Sequence, residues 1–340
     1  MFPQPWIFLI ATIIAISLFM SSLVESFPVA DKVKSLPEQS PVSFQQFAGF
    51  VPVDDKNQRA LFYYFVEAET NPASKPLVLW LNGGPGCTSV GVGAFTEHGP
   101  FVTNQGEAIE KNQYSWNKEA NILYLESPAG VGFSYSLNLS FYKTLNDEIT
   151  GHYVPQLAEL IIKSKVNFNL KGIAIGNPLL DFDTDMNAVD EYYWSHGIIS
   201  DYAYKIRTSL CNSSRVLREY FSGQISKDCL VAAQKVSEEY SFTNFIDPYY
   251  VVGEKCLSYN VSQAGFLRET LNSGMFQFRN SHYVLQTEEP DQVGGWTKVY
   301  GNHLTYTTIR GASHGTPATQ PKRSFVLFNA FLQGKPLPKA

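Results

Sequence analysis

The run Pro76-Leu77-Val78-Leu79-Trp80-Leu81 passes directly into Asn82-Gly83-Gly84-Pro85-Gly86-Cys87. The apolar part reads as a short strand of the kind buried on both faces of a parallel sheet. The glycines that follow mark a turn at its end. Two adjacent glycines there let backbone N–H groups approach a bound oxygen with no Cβ in the way. Taken alone, such a turn is equally well a tight strand-to-helix connection, so its meaning depends on the chain around it.

Upstream, Arg59–Glu67 alternates β-branched and aromatic residues and reads as a strand. Downstream, Ala120–Leu125 is a second buried strand, ending at Glu126-Ser127-Pro128-Ala129-Gly130. Val154, Leu157, Leu160 and Ile161 fall at helical spacing and predict a helix over His152–Ser164. Leu170–Ile175 reads as a third strand, ending at Gly176-Asn177-Pro178. Strand, loop, helix and strand in this order argue for an α/β fold with a mostly parallel sheet. From Asp181 the texture becomes rich in tyrosine and polar residues, mainly helical and irregular. His303–Ile309 then reads as a strand and Lys322–Leu332 as a closing helix. The expected division is a first part of the core at 27–180, an insertion or cap at 181–291, and the rest of the core at 292–340.

The chain has 340 residues, 44% hydrophobic and 14% aromatic, enough to bury a large core. A net charge of −5 suggests neither a nucleic-acid surface nor a polybasic membrane anchor. Trp6–Met20 is an apolar run of signal-peptide length, followed by small residues, although no Lys or Arg precedes it. A signal peptide over residues 1–26 is expected, with a retained anchor as the alternative. Asn138, Asn212 and Asn260 each begin an Asn-x-Ser acceptor, which together with the signal favours a glycosylated protein of the secretory pathway. The four cysteines, Cys87, Cys211, Cys229 and Cys256, could form two disulfides in that compartment. They lack CxxC spacing and paired histidines, so no zinc site or other metal is expected. No cofactor is indicated.

The segments Trp80–Ser89, Glu126–Ser136, Gly151–Leu160, Lys171–Asp181, Ser195–Ser200, Val293–Asn302, Thr308–His314 and Gln320–Ser324 resemble, in collinear order, the serine carboxypeptidase family of α/β-hydrolases. The plant members, carboxypeptidases and acyltransferases, look nearest. The resemblance implies an α/β-hydrolase fold with an inserted helical subdomain, and peptide or protein C-termini as ligands. It implies that the N–H of Gly84 serves an oxyanion hole, while Asn82 and the N–H of Gly83 hold the substrate's terminal carboxylate. Trp80 and Glu97 would support that network. His314, in Gly311-Ala312-Ser313-His314, matches the catalytic histidine, which would act as general base. His98, His152 and His196 look structural, and His282 and His303 have no motif support.

Gly311–Gly315 also satisfies the Gly-x-Ser-x-Gly pattern, but Gly315-Thr316-Pro317 delays the helix that an elbow needs, and no histidine follows. Ser313 is therefore not expected to be the nucleophile. In the family a serine stands shortly before the Gly-His-Tyr-Val-Pro that begins here at Gly151; this chain has Leu145-Asn146-Asp147-Glu148-Ile149-Thr150 instead. The comparison implies that the nucleophile, the acid before it, one oxyanion donor and a central strand are absent as a block. A second block near Gln292 would carry the triad aspartate, and Asp291 lacks the preceding strand that would qualify it. About a hundred residues are missing on this comparison, and the sheet is expected to be incomplete. Cys87 would lose its family partner and so would Cys256, whereas Cys211 and Cys229 remain a plausible local pair. The expected function is that of a serine carboxypeptidase-like protein inactive as written. The alternatives are a non-catalytic binding or regulatory remnant or a splice or gene-model variant, and an acyltransferase of the same family. A homodimer and the choice between vacuole and extracellular space stay open.

Overall fold

A computed structural model of the chain describes residues 28–84, 86–104, 108–143, 153–240, 249–251, 253 and 293–337. The expected signal peptide, the Thr150–Gly151 junction, His152, Cys256, Asn260, His282 and Asp291 lie outside these residues.

The main sheet is built from β1 (Lys32–Val33), β2 (Gln46–Asp54), β3 (Arg59–Val66) and β4 (Leu77–Trp80). The hairpin β5 (Phe101–Asn104) and β6 (Ala108–Lys111) stands apart, and β7 (Asn121–Leu125) and β8 (Tyr135–Ser136) complete the sheet. The order is β1-β2-β3-β7-β4, with β8 also on β3. β2 and β3 are antiparallel, joined by a turn in which Asp54 accepts from Asn57 and Arg59. β7 runs antiparallel to β3 and parallel to β4, so the sheet is mixed among the described residues, rather than mostly parallel.

Ile122 and Tyr124 of β7 are fully buried between these neighbours and join Phe44, Tyr64, Val66, Val90, Ala94 and Phe101 in the main core. Val78 and Trp80 of β4 pack on that core from the same face. Leu77 and Leu79 point the other way, at 66% and 38% exposure. Among the described residues β4 is therefore an edge strand with one uncovered face, not a strand buried on both.

The expected helix appears as α1 (Tyr153–Lys163). Of its apolar stripe, Leu157 and Leu160 are exposed and Val154 and Ile161 half-buried. The predicted strand Leu170–Ile175 is not a strand: it pairs with nothing among the described residues, and Leu170, Ile173 and Ile175 are exposed. An extended segment becomes a strand only when a neighbour supplies ladder hydrogen bonds, and its propensity cannot replace that neighbour. The same absence leaves β4 at the edge.

The described residues after Asp181 are mainly helical, as expected: α2 (Phe182–Ser195), α3 (Asp201–Ser209), α4 (Ser213–Phe221) and α5 (Lys227–Tyr240). Asp181, Ser200 and Asn212 cap the first three, each accepting from a backbone N–H of the first turn. Cys211 and Cys229 form a disulfide that ties the start of α4 to α5. Val236 of α5 packs with Ile199 and Ala203 in a small core of its own.

The C-terminal part forms an isolated antiparallel pair, β9 (Gly295–Tyr300) and β10 (Leu304–Ile309), then α6 (Thr316–Thr319) and α7 (Pro321–Gln333). The strand and closing helix expected there are both present, but β9 and β10 join no other strand among those described. The contact that matters is made by α7. Phe328 is buried in the main core and stacks on Trp116, with ring centroids 4.0 Å apart and planes 11° from parallel.

Candidate functional site

Two loops carry the residues that the sequence singles out. The first leaves β4 at Trp80. Trp80 Nε1–H donates to Asn82 Oδ1 at 2.5 Å, and the Asn82 N–H donates to Ser89 Oγ at 3.0 Å. The side-chain amide of Asn82 reaches Glu97 Oε1 at 3.5 Å. Trp80, Asn82 and Glu97 are thus brought together in one network.

A helical segment, Ser89–Glu97, follows the turn, capped by Thr88 and closed by a bond from His98 N–H five residues back to Gly93 O. Gly93 is required by this packing: a Cβ there would lie 2.5 Å from Trp80 Nε1 and 2.8 Å from Asn82 Oδ1. Gly84 has φ +142°, and a Cβ would meet Gly86 N at 2.8 Å, so this position also needs glycine. At Gly83, by contrast, nothing among the described residues lies within 4 Å of the missing Cβ.

The carboxylates beneath this loop are unusual. Glu97 is pushed up to about 7 by burial, against the opposing hydrogen bond from Asn82. His98 beside it is driven down to about 3 by burial, sandwiched against Trp116 at 3.9 Å with Trp80 at its edge. Tyr124 OH lies 3.2 Å from its Nδ1, so His98 is a structural histidine, as the sequence reading held. Glu126 clamps the turn from below, accepting from Thr88 Oγ1 at 2.5 Å and from Ser89 N–H at 3.0 Å. Burial raises its carboxyl, and those two bonds oppose the shift. Sequence reasoning quoted Glu126 as part of a motif but missed this role. Cys87 is a free, half-buried thiol raised by burial and by Glu97.

The second loop, Gly311–Gly315, carries His314. The His314 N–H donates to Tyr249 O at 3.0 Å, and burial lowers the ring's pKa. α6, which starts at Thr316, packs against the Ser89–Glu97 segment and so draws the histidine loop toward the first half of the site. The helix begins three residues after Ser313, as expected of a loop that is not a nucleophile elbow. Asn177 lies beside His314: its Nδ2 is 2.7 Å from His314 O and 3.4 Å from His314 Nδ1. No local signal marks this pairing, because 137 residues separate the two. His196 bonds its own helix at Tyr192 O, again a structural role.

The sequence model of the serine carboxypeptidase family matches residues 37–150, 149–276 and 260–334, and the chain belongs to that family. The first break falls at the Thr150–Gly151 junction; the second lies between residues 260 and 276, upstream of the expected position near Gln292. The chain is 41% identical to serine carboxypeptidase-like 45 of Arabidopsis thaliana, with both chains covered in full. That alignment runs over 464 positions, so with 340 residues here at least 124 positions have no residue from this chain. Serine carboxypeptidase-like 46 of the same plant is 39% identical, with 97% of each chain covered. A prohormone-processing carboxypeptidase from Saccharomyces cerevisiae superposes with a TM-score of 0.52 over 85% of this chain and 91% of that one, at 16% identity. It supports the α/β-hydrolase fold, here with an incomplete sheet. Among the described residues no helix is long and apolar enough to cross a membrane.

Proposed function

We propose that this chain is a non-catalytic serine carboxypeptidase-like protein that binds peptide C-terminal carboxylates at the Asn82–Gly84 turn. The observation that carries the reading is the break in the family match at residues 149–150, where Gly151 follows Leu145–Thr150, a stretch without a serine. The open edge at β4 supports it, since a central strand lost with the nucleophile would leave that edge bare. The binding half of the site is assembled: Asn82 is held by Trp80, Ser89 and Glu97, and Gly83 is unobstructed among the described residues. Asn82 and the Gly83 N–H hold the carboxylate, and the Gly84 N–H faces the neighbouring carbonyl oxygen.

Loss of the nucleophile costs on the order of 10⁶ in kcat in a comparable serine protease. The carboxypeptidase and acyltransferase readings both need an acyl-serine, so one assay addresses both. An active-serine phosphonate is expected to leave the purified 340-residue protein unlabelled, while a peptide with a free C-terminus binds more tightly than its amide. Stoichiometric labelling would sink the proposal.

The same reading places the protein in the secretory pathway, extracellular or vacuolar, after removal of residues 1–26. The apolar run Trp6–Met20, the Cys211–Cys229 disulfide, and the acceptors at exposed Asn138 and half-buried Asn212 support it.

A further inference from the structure

We infer that Asn177 is a positioning residue that holds His314 in the Nε2–H tautomer, turning the family's general base into a hydrogen-bond donor. The inference rests on the non-catalytic reading for what the histidine is used for, but not for the tautomer itself.

A carbonyl oxygen can only accept a hydrogen bond. The Asn177 side-chain atom 2.7 Å from His314 O must therefore be the amide nitrogen, not the amide oxygen. That same nitrogen lies 3.4 Å from His314 Nδ1. An amide NH2 has two hydrogens and no acceptor capacity, so it can serve both partners only by donating to both. Nδ1 must then present its lone pair, and the proton of the neutral ring sits on Nε2. Asn177 itself has φ +48°, a left-handed conformation that asparagine tolerates better than most residues.

Serine catalysis needs the opposite state. A carboxylate accepts from Nδ1–H, and the free Nε2 takes the serine proton. An amide in the carboxylate's place selects the wrong tautomer and costs about 10⁴ in kcat in a comparable protease. In this chain the amide comes from a different segment, and the ring becomes a donor for an oxygen. His314 lines a cleft of about 240 Å³ with Tyr192, Tyr249, Tyr250 and Ser313. A ligand carboxylate or carbonyl oxygen is the chemistry this donor fits.

The test is long-range ¹H–¹⁵N correlation on the full chain labelled at histidine, with the His314 signal assigned from its loss in His314→Gln. The wild-type ring is expected neutral at pH 7 with Nε2 protonated and Nδ1 bare. In Asn177→Asp the carboxylate accepts from Nδ1–H, and the tautomer reverses. A wild-type ring protonated at Nδ1 overturns the inference, and so does the same tautomer in both proteins. The wild-type measurement decides even if the variant fails to fold. Phosphonate labelling of the same sample reports separately on the serine, so failure of the tautomer and failure of the non-catalytic reading are distinguishable.

Discussion

Phe328→Ala tests the contact by which the C-terminal part is held to the rest of the molecule. Phe328 is 5% exposed and lies flat on Trp116, whose other neighbours are Trp80 and His98. Truncating a buried phenylalanine costs about 3–5 kcal/mol, from lost transfer energy and the cavity left behind. A fold is commonly stable by only about 5–15 kcal/mol, and this one has an uncovered sheet face, so the loss is a large share. Because α7 follows directly on α6, its release takes the His314 loop with it. The expected outcome is a lower urea midpoint for tryptophan fluorescence, with faster proteolysis across residues 293–337. Phe331→Ala, on the same helix but 42% exposed, is the control and should cost less than about 1.5 kcal/mol. If Phe328→Ala costs under about 1 kcal/mol, or no more than the control, the docking argument is wrong.

Glu97 and His98 make opposed contributions to the pH dependence of stability. Glu97 titrates near 7 in the fold against 4.5 normally, so its contribution is present below 4.5 and lost as pH rises through 7. His98 titrates near 3 against 6.5, so its contribution is present above 6.5 and lost as pH falls through 3. Between 4.5 and 6.5 the two slopes nearly cancel. Glu97→Gln should unmask the histidine, with stability rising by about 1.4 kcal/mol per pH unit in denaturant titrations; a flat profile would refute this. In the insertion, Asp190 accepts from Arg207 Nε at 3.3 Å and from Ser213 Oγ at 2.6 Å, with both ion-pair partners buried. Asp190→Ala strands the arginine and should cost about 3–5 kcal/mol in thermal melts, whereas a loss within about 0.5 kcal/mol, the scale of surface changes, would show the pair to be hydrated.

Much of the site's first half was legible because its signals are local. Trp80, Asn82, Gly83 and Gly84 sit in one short run, and Glu97 follows within one helical segment, so the tryptophan-to-asparagine bond and the open Gly83 peptide follow from near neighbours. The Cys211–Cys229 pair was legible for the same reason, at a separation of 18 residues. Leu170–Ile175 was misread because its apolar pattern reports what the segment could pair with, not whether a partner is there. Asn177 was missed because its significance lies in a histidine far along the chain.

The sequence by itself determined the family, the Gly-rich turn, the mainly helical stretch after Asp181, and the junction at Thr150–Gly151. These are properties of local chemistry and of residue order. Only the tertiary structure decided that β4 ends as an edge strand, that Phe328 fastens the C-terminal helix to the core, and that an amide stands against His314. Each of these depends on which distant segments meet. Unfilled ladder bonds, buried ring stacks and a proton's place on an imidazole are set by neighbours in space, which residue order does not display.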